Sequence, residues 1–185
     1  MSLVLLTGGA RSGKSRLATQ LGARRSGPVV VIATGEALDE EMAERIQRHR
    51  AERPPEWTTV EEPLELERAI TGAPDDAFVI VDCLSLWVAN LMGREVPGDE
   101  IIARAAEAAS LAARRPAGTV VVTNEVGSAI VPDNVLARRY RDLLGVVNAA
   151  WGSAAARVGL VVAGRLLPLS SPEEVWRKDA GWTTN

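Results

Sequence analysis

A chain of 185 residues with 46% hydrophobic and 24% charged side chains is long enough to bury one substantial core and short for two ordinary domains. Its formal net charge of −3 gives no strong positive field for nucleic acid or an anionic membrane surface, and no run is apolar for long enough to span a bilayer. A single cysteine, Cys83, excludes an intramolecular disulfide, and a single histidine, His49, excludes a zinc site of several histidines, so a reducing, cytoplasmic setting is expected.

In chain order, the first buried strand is expected at Leu3–Thr7, followed by a helix over Lys14–Arg24, a strand at Val29–Ala33 and a helix over Asp39–Glu52. A short edge strand around Trp57–Val60 and a helix at Leu64–Ile70 come next, then the strand Phe78–Cys83 and the helices Leu84–Met92 and Asp99–Arg114. The strand Thr119–Thr123, a long helix Asn134–Arg157 with candidate breaks at Gly145 or Gly152, and a last strand Leu160–Ala163 complete the pattern. Short Val-, Ile- and Leu-rich runs alternating with amphipathic stretches are the mark of βα units. The expected fold class is therefore α/β: a single domain over residues 1–185 with a mostly parallel β-sheet covered by helices. Loop signals at Arg53-Pro54-Pro55, Gly93–Gly98 and Leu167–Pro172 lack the length of an interdomain linker, and residues 170–185 read as a peripheral tail. Arg138, Arg139 and Arg141 form a local basic cluster whose plain reading is a solvated helix face.

Between the first strand and the first helix stands Gly8-Gly9-Ala10-Arg11-Ser12-Gly13-Lys14-Ser15, which fits G-x-x-x-x-G-K-[ST]. Glycines let successive backbone N–H groups converge on phosphate oxygens, and the helix start adds the positive end of its dipole. Lys14 is placed to reach the β/γ-phosphates and Ser15 to ligate Mg²⁺. The chain is thus expected to bind a nucleoside triphosphate for phosphoryl or nucleotidyl transfer.

Asp82 ends the apolar run Phe78-Val79-Ile80-Val81, where a neighbouring strand delivers an acid to the Mg²⁺ of such a site, although an aspartate there can also cap the following helix. Asn124-Glu125, at the carboxyl edge of the next strand, carries the same ambiguity. Helical spacing puts His49 on the side of Met42 and Ile46, which suits a partly buried core histidine. Arg45, Arg48, Arg50 and Arg53 crowd the same helix end, which suits polyphosphate, while Glu40, Glu41, Glu44 and Glu52 are enough to make it a neutralised surface.

Several segments together resemble the bifunctional adenosylcobinamide kinase/adenosylcobinamide-phosphate guanylyltransferase family of cobalamin biosynthesis. They are TGGARSGKSRLA (Thr7–Ala18), IATGEALDEEMAERIQRHRAERPPEW (Ile32–Trp57), VDC (Val81–Cys83), TNEVGSAIVP (Thr123–Pro132) and ARRYRDLLGVVN (Ala137–Asn148), spread over roughly residues 3–165. The resemblance implies a RecA-like phosphate-loop domain, a homotrimer, and two reactions at one nucleotide site. Adenosylcobinamide is first phosphorylated with GTP or ATP and Mg²⁺. A histidine then takes GMP from GTP as a phosphoramidate and passes it to adenosylcobinamide phosphate. Some relatives carry two adjacent histidines, whereas this chain has Arg48 then His49, so His49 is the implied nucleophile. Carried over by position, the nucleotide contacts implied are Gly8–Ser15, Ala33, Thr34 and Gly35, then Arg50, Ala51, Glu52 and Arg53, and finally Glu61 and Asp82, with Ser15 and Asp82 on the metal. A carboxylate such as Glu61 suits the guanine N1 and N2 donors, although Glu62 stands beside it.

The nearest alternative is a phosphate-loop kinase of another metabolite, in which His49 merely packs. A guanine-nucleotide switch would be expected to carry N-K-x-D, which Asn124-Glu125-Val126-Gly127 does not supply, and a DNA-dependent ATPase is disfavoured by the acidic balance. Trp87, Trp151, Trp176 and Trp182 are candidates for lining a corrinoid cleft, with core or interface packing as the plainer role.

Overall fold

The computed structural model describes residues 3–178. Seven strands, β1 (Leu3–Thr7), β2 (Val29–Ala33), β3 (Thr58–Glu61), β4 (Phe78–Asp82), β5 (Thr119–Val122), β6 (Arg157–Val162) and β7 (Arg165–Leu169), form one sheet in the order β3-β2-β4-β5-β1-β6-β7. Every pairing is parallel except β6 with β7. The helices are α1 (Lys14–Gly22), α2 (Glu40–Ala51), α3 (Leu66–Gly72), α4 (Leu84–Gly93), α5 (Gly98–Arg114), α6 (Val135–Ala154) and α7 (Pro172–Lys178). Strands β1, β2, β4 and β5 are buried along nearly their whole length and largely apolar, as expected where both sheet faces are covered.

One core cluster joins Leu3, Leu5, Ile32, Val79 and Val81 to buried residues of α3, α4, α5 and α6. The second, on the opposite face, gathers Leu6, Val31, Ile80, Val122 and Val161 around Ala18 of α1, with Trp57 against it. Gly22 admits the Trp57 indole at a distance where any Cβ would collide with it, 2.6 Å.

Expectation and structure differ at the carboxyl-terminal end. The run around Leu167–Pro172 contains a strand, β7, antiparallel to β6 and exposed throughout, and Pro172 begins α7. Strand β6 begins at Arg157, inside the span expected to be helical, because α6 ends at Ala154. Helix α6 passes Gly145 and Gly152 without a break, and Gly152 lies over Leu5 of the sheet. Trp87 and Trp151 are fully buried, with Trp87 Nε1 donating to Leu64 O at 2.9 Å, so neither lines an open cleft. Trp182 and the side chain of Trp176 lie outside the described residues.

Arg115 closes the loop between α3 and β4. Only 7% exposed, its guanidinium donates to the carbonyls of Ile70, Ala73, Pro74 and Ala77. Burial pushes its pKa down, with Asp75 opposing, yet an arginine remains charged at any working pH. Arg115→Ala strands those acceptors in the interior and is expected to cost on the order of 3 kcal/mol in denaturant unfolding.

Candidate functional site

The carboxyl ends of β1, β2, β3, β4 and β5 lie along one edge, where ligands bind in open parallel sheets. Strand register brings the site residues together there: Ala33 pairs with Glu61 of β3 and with Asp82 of β4. From β1 the chain turns at Gly8, whose φ of +149° and 2.3 Å approach to Val161 O exclude a side chain. It reaches α1 through Gly13, φ +102°, which caps the helix without a side-chain bond and leaves its first N–H groups free for an anion. Two outside amides hold the loop, since Glu125 N–H donates to Gly8 O at 3.0 Å and Gly164 N–H to Ser12 O at 2.8 Å.

Lys14 is 6% exposed and donates from Nζ to Gly8 O (2.8 Å) and Gly9 O (2.6 Å). Burial lowers its pKa, while the nearby Cys83 and Asp82 work the other way. Gly9, Ala10 and Arg11 face solvent, with Arg11 at φ 55°, and Ser12 is half-buried.

Asp82 is where the elements meet. Its Oδ1 accepts from Ser15 Oγ at 3.2 Å, and its Oδ2 lies 3.7 Å from both His49 Nδ1 and Arg53 Nη2. Burial alone would raise its pKa, but His49, Arg53 and Ser15 outweigh it and hold the carboxyl below its ordinary range. The cap of α4 is Cys83 and uses no side-chain bond, so the Asp82 carboxylate is turned to Ser15, His49 and Arg53 and does not cap the helix. Ser15 and Asp82 offer hard oxygens that fit Mg²⁺. Among the described residues no cluster of three His, Cys, Asp or Glu side chains could hold a metal.

Helix α2 delivers His49 to this carboxylate. Asp39 caps it by accepting from Met42 N–H at 2.7 Å, Glu40 and Glu41 sit at its amino end, and Arg48 and Arg50 flank His49 in its last turn, the glutamates and arginines being matched to the helix dipole. No residue of α2 is fully buried, but Met42, Ile46 and His49 are all half-buried, as the helical spacing expects, and His49, 32% exposed, turns Nδ1 to Asp82. Arg53 is 12% exposed and also donates to Thr59 Oγ1, while Ala51 and Glu52 face solvent. Arg50 approaches Glu61 at 3.5 Å with both side chains exposed. Glu62 instead accepts from Leu64 and Glu65 N–H, which separates the adjacent glutamates by role.

Behind this front stands a polar layer. Thr34, fully buried, accepts from Cys83 N–H and donates to Cys83 O, and its own N–H donates to Asp82 O. Its hydroxyl is thereby engaged by the chain, leaving Gly35, half-buried beside Ile46 and Leu86, as the open part of the Ala33-Thr34-Gly35 turn. Asn90 donates to Thr34 O, and Arg94 grips Glu36 through two hydrogen bonds. Asn124 donates to Ser85 Oγ and is held by Asn148, whereas the Glu125 carboxylate caps the N–H groups of Gly127 and Ser128. Burial pushes the Tyr140 hydroxyl up to about 12 as it donates to Ser85 O. Sequence reasoning missed Ser85, Asn90 and Asn148. For Asn90 and Asn148 the available signal was a lone amide inside an apolar helical run, which needs a partner once buried.

The family profile described as cobinamide kinase / cobinamide phosphate guanyltransferase matches residues 4–169. The bifunctional adenosylcobalamin biosynthesis protein CobU of Salmonella typhimurium is 44% identical over 176 residues, covering 88% of this chain and 96% of that protein. The bifunctional adenosylcobalamin biosynthesis protein CobP of Pseudomonas aeruginosa is 42% identical over 166 residues, covering 89% and 95%. Among solved structures, an ATPase from a bacterial type III secretion system superposes with a TM-score of 0.56 at 11% identity, covering 98% of this chain and 54% of that one. A Pyrococcus horikoshii protein gives 0.55 at 10% identity, covering 92% and 87%. Those two likenesses concern the fold alone.

Proposed function

The chain belongs to the cobinamide kinase/cobinamide phosphate guanyltransferase family, and from that premise we propose that one nucleotide site, built on Gly8–Ser15, Asp82 and His49, serves both of its reactions. The protein phosphorylates adenosylcobinamide and transfers GMP to adenosylcobinamide phosphate, giving adenosylcobinamide-GDP. The observation that carries a shared site is Asp82, whose two oxygens face Ser15 of the phosphate loop on one side and His49 of α2 on the other.

In the kinase step, the substrate hydroxyl attacks the γ-phosphorus of GTP or ATP and the bond to the β-phosphate oxygen breaks. Lys14 and the loop N–H groups offset charge on the β/γ-oxygens. Ser15 and Asp82 would hold a Mg²⁺ whose chemistry is neutralisation of the same oxygens. In the second step His49 attacks the α-phosphorus of GTP and pyrophosphate leaves. The phosphate of adenosylcobinamide phosphate then displaces His49 and keeps GMP. Arg50 and Arg53 are placed to offset charge on the departing pyrophosphate, and Glu61, beside Arg50, to accept from guanine. Ala33, Gly35, Ala51 and Glu52 border the nucleotide in this reading, and Thr34 supports it through the backbone.

A homotrimer of the full chain working in a reducing cytoplasm is part of the proposal. Supporting assembly are the exposed apolar side chains of β7, Leu167 at 57% and Leu169 at 43%, with Ile130 at 93% between β5 and α6 and Val135 at 70% at the start of α6. Sedimentation equilibrium is expected to return about three times the 19.7 kDa chain mass.

The deciding experiment incubates the protein with Mg²⁺ and α-labelled GTP. An acid-labile, alkali-stable adduct is expected, discharged to adenosylcobinamide-GDP when adenosylcobinamide phosphate is added. Kinase turnover without any adduct in intact protein would leave the simple-kinase reading in its place.

A further inference from the structure

The geometry points to Asp82 as the positioning residue of the guanylyl step: its Oδ2 fixes the His49 proton on Nδ1, so that Nε2 is the atom that takes GMP. This rests on the histidine reading above and deepens it. A neutral imidazole carries its proton on one nitrogen and its lone pair on the other, and the partner of the protonated nitrogen decides which is which. Here Nδ1 is the nitrogen turned to the carboxylate, 3.7 Å from Oδ2. That separation exceeds a formed hydrogen bond, and catalytic hydrogen bonds are often long until substrate tightens them. Asp82 is suited to the role because it is 14% exposed and its position is over-determined. Its peptide oxygen accepts from Thr34 N–H, and Thr34 Oγ1 clamps the following residue through both its N–H and its carbonyl.

The two carboxylate oxygens divide the work. Oδ1 faces Ser15 and the phosphate loop, while Oδ2 faces His49 and Arg53 on the α2 side. In the transfer, the Nε2 lone pair forms the N–P bond as the bond from the α-phosphorus to the bridging oxygen breaks, and that electron pair leaves on pyrophosphate. The ring becomes cationic with its proton still on Nδ1, beside the Asp82 carboxylate. Attack by the phosphate oxygen of the acceptor on phosphorus returns the electron pair to Nε2, restoring the neutral ring in the tautomer it started from. No proton needs to leave the pair in either direction.

Because the chain has a single histidine, long-range proton–nitrogen NMR of ¹⁵N-histidine-labelled protein reads one ring. In mildly alkaline buffer the Nδ1–H tautomer is expected, and after GTP and Mg²⁺ a phosphorus coupling on Nε2. Asp82→Asn keeps the shape but presents an amide that can donate to Nδ1. It is expected to move the ring toward the Nε2–H tautomer and to slow adduct formation at least 100-fold at saturating GTP; the equivalent exchange in serine-protease triads lowers turnover about 10⁴-fold. A merely structural role for Asp82 would slow the reaction with the tautomer unmoved. An Nε2–H tautomer in the unaltered protein, or phosphorus on Nδ1, overturns the assignment while leaving a histidine adduct in place. Absence of any adduct overturns the histidine reading instead, and the tautomer of the free ring still decides whether Asp82 holds Nδ1.

Discussion

His49→Ala is expected to abolish labelling of the protein by α-labelled GTP, a fall of at least about 10³-fold, while phosphorylation of adenosylcobinamide by the γ-phosphate stays within a few-fold of normal. The split follows from where the side chain sits. His49 reaches the site from α2 and touches only the Oδ2 side of Asp82, whereas Ser15, Lys14 and Oδ1 are grouped independently of it. Because α2 buries no residue, removing the imidazole opens no core cavity, and the unfolding midpoint is expected to stay nearly unchanged. Parallel assays with the two labels on one preparation make the comparison. Equal loss of both activities would mean that His49 supports the nucleotide site as a whole and is not the acceptor of GMP.

Lys14→Ala is expected to remove both activities together, by about 10²- to 10³-fold each, because the same β/γ-oxygens carry charge in the kinase and guanylyl steps. No near substitute stands ready: Arg11 and Arg16 are exposed, and Arg53 is turned to Asp82. Lys14→Arg is expected to fail as well, since the 6% exposed pocket bounded by the Gly8 and Gly9 carbonyls does not admit a planar guanidinium. Calorimetric titration with GTP alongside the two rate assays separates weakened binding from slowed chemistry. Retained guanylylation in a kinase-dead variant would break the link between the steps.

The parts of this fold legible in sequence are those dictated locally. The β1–loop–α1 unit announces itself because an apolar run, glycines at turn positions and a helical period fall in immediate succession. Strand β7 is hidden because Pro168 interrupts an apolar run that is exposed along its length, so the segment looks like a loop. The start of β6 is hidden for the opposite reason. Ala154-Ala155-Ala156 are strong helix formers with no breaker among them, and only pairing with β1 draws the chain into extended form. In the site, residue types could be named, but their choice of partner depends on register. Asp82 finds Ser15 across 67 positions of sequence, and Glu61 and Glu62 part company only because β3 ends between them.

Helix α2 has one more consequence. Its twelve residues include none that is buried, and its closed ends depend on the Asp39 cap and on charges matched to the dipole. A helix of that length is marginal without tertiary support. Its amides therefore report a local opening far cheaper than unfolding of the sheet, and under native conditions they should take up deuterium long before those of β4 or β5. His49, the nucleophile of the proposed guanylyl step, is carried on a part of the fold whose stability owes little to fully buried side chains. Solvent exchange at its backbone thus becomes a direct gauge of how tightly a bound nucleotide ties that part down.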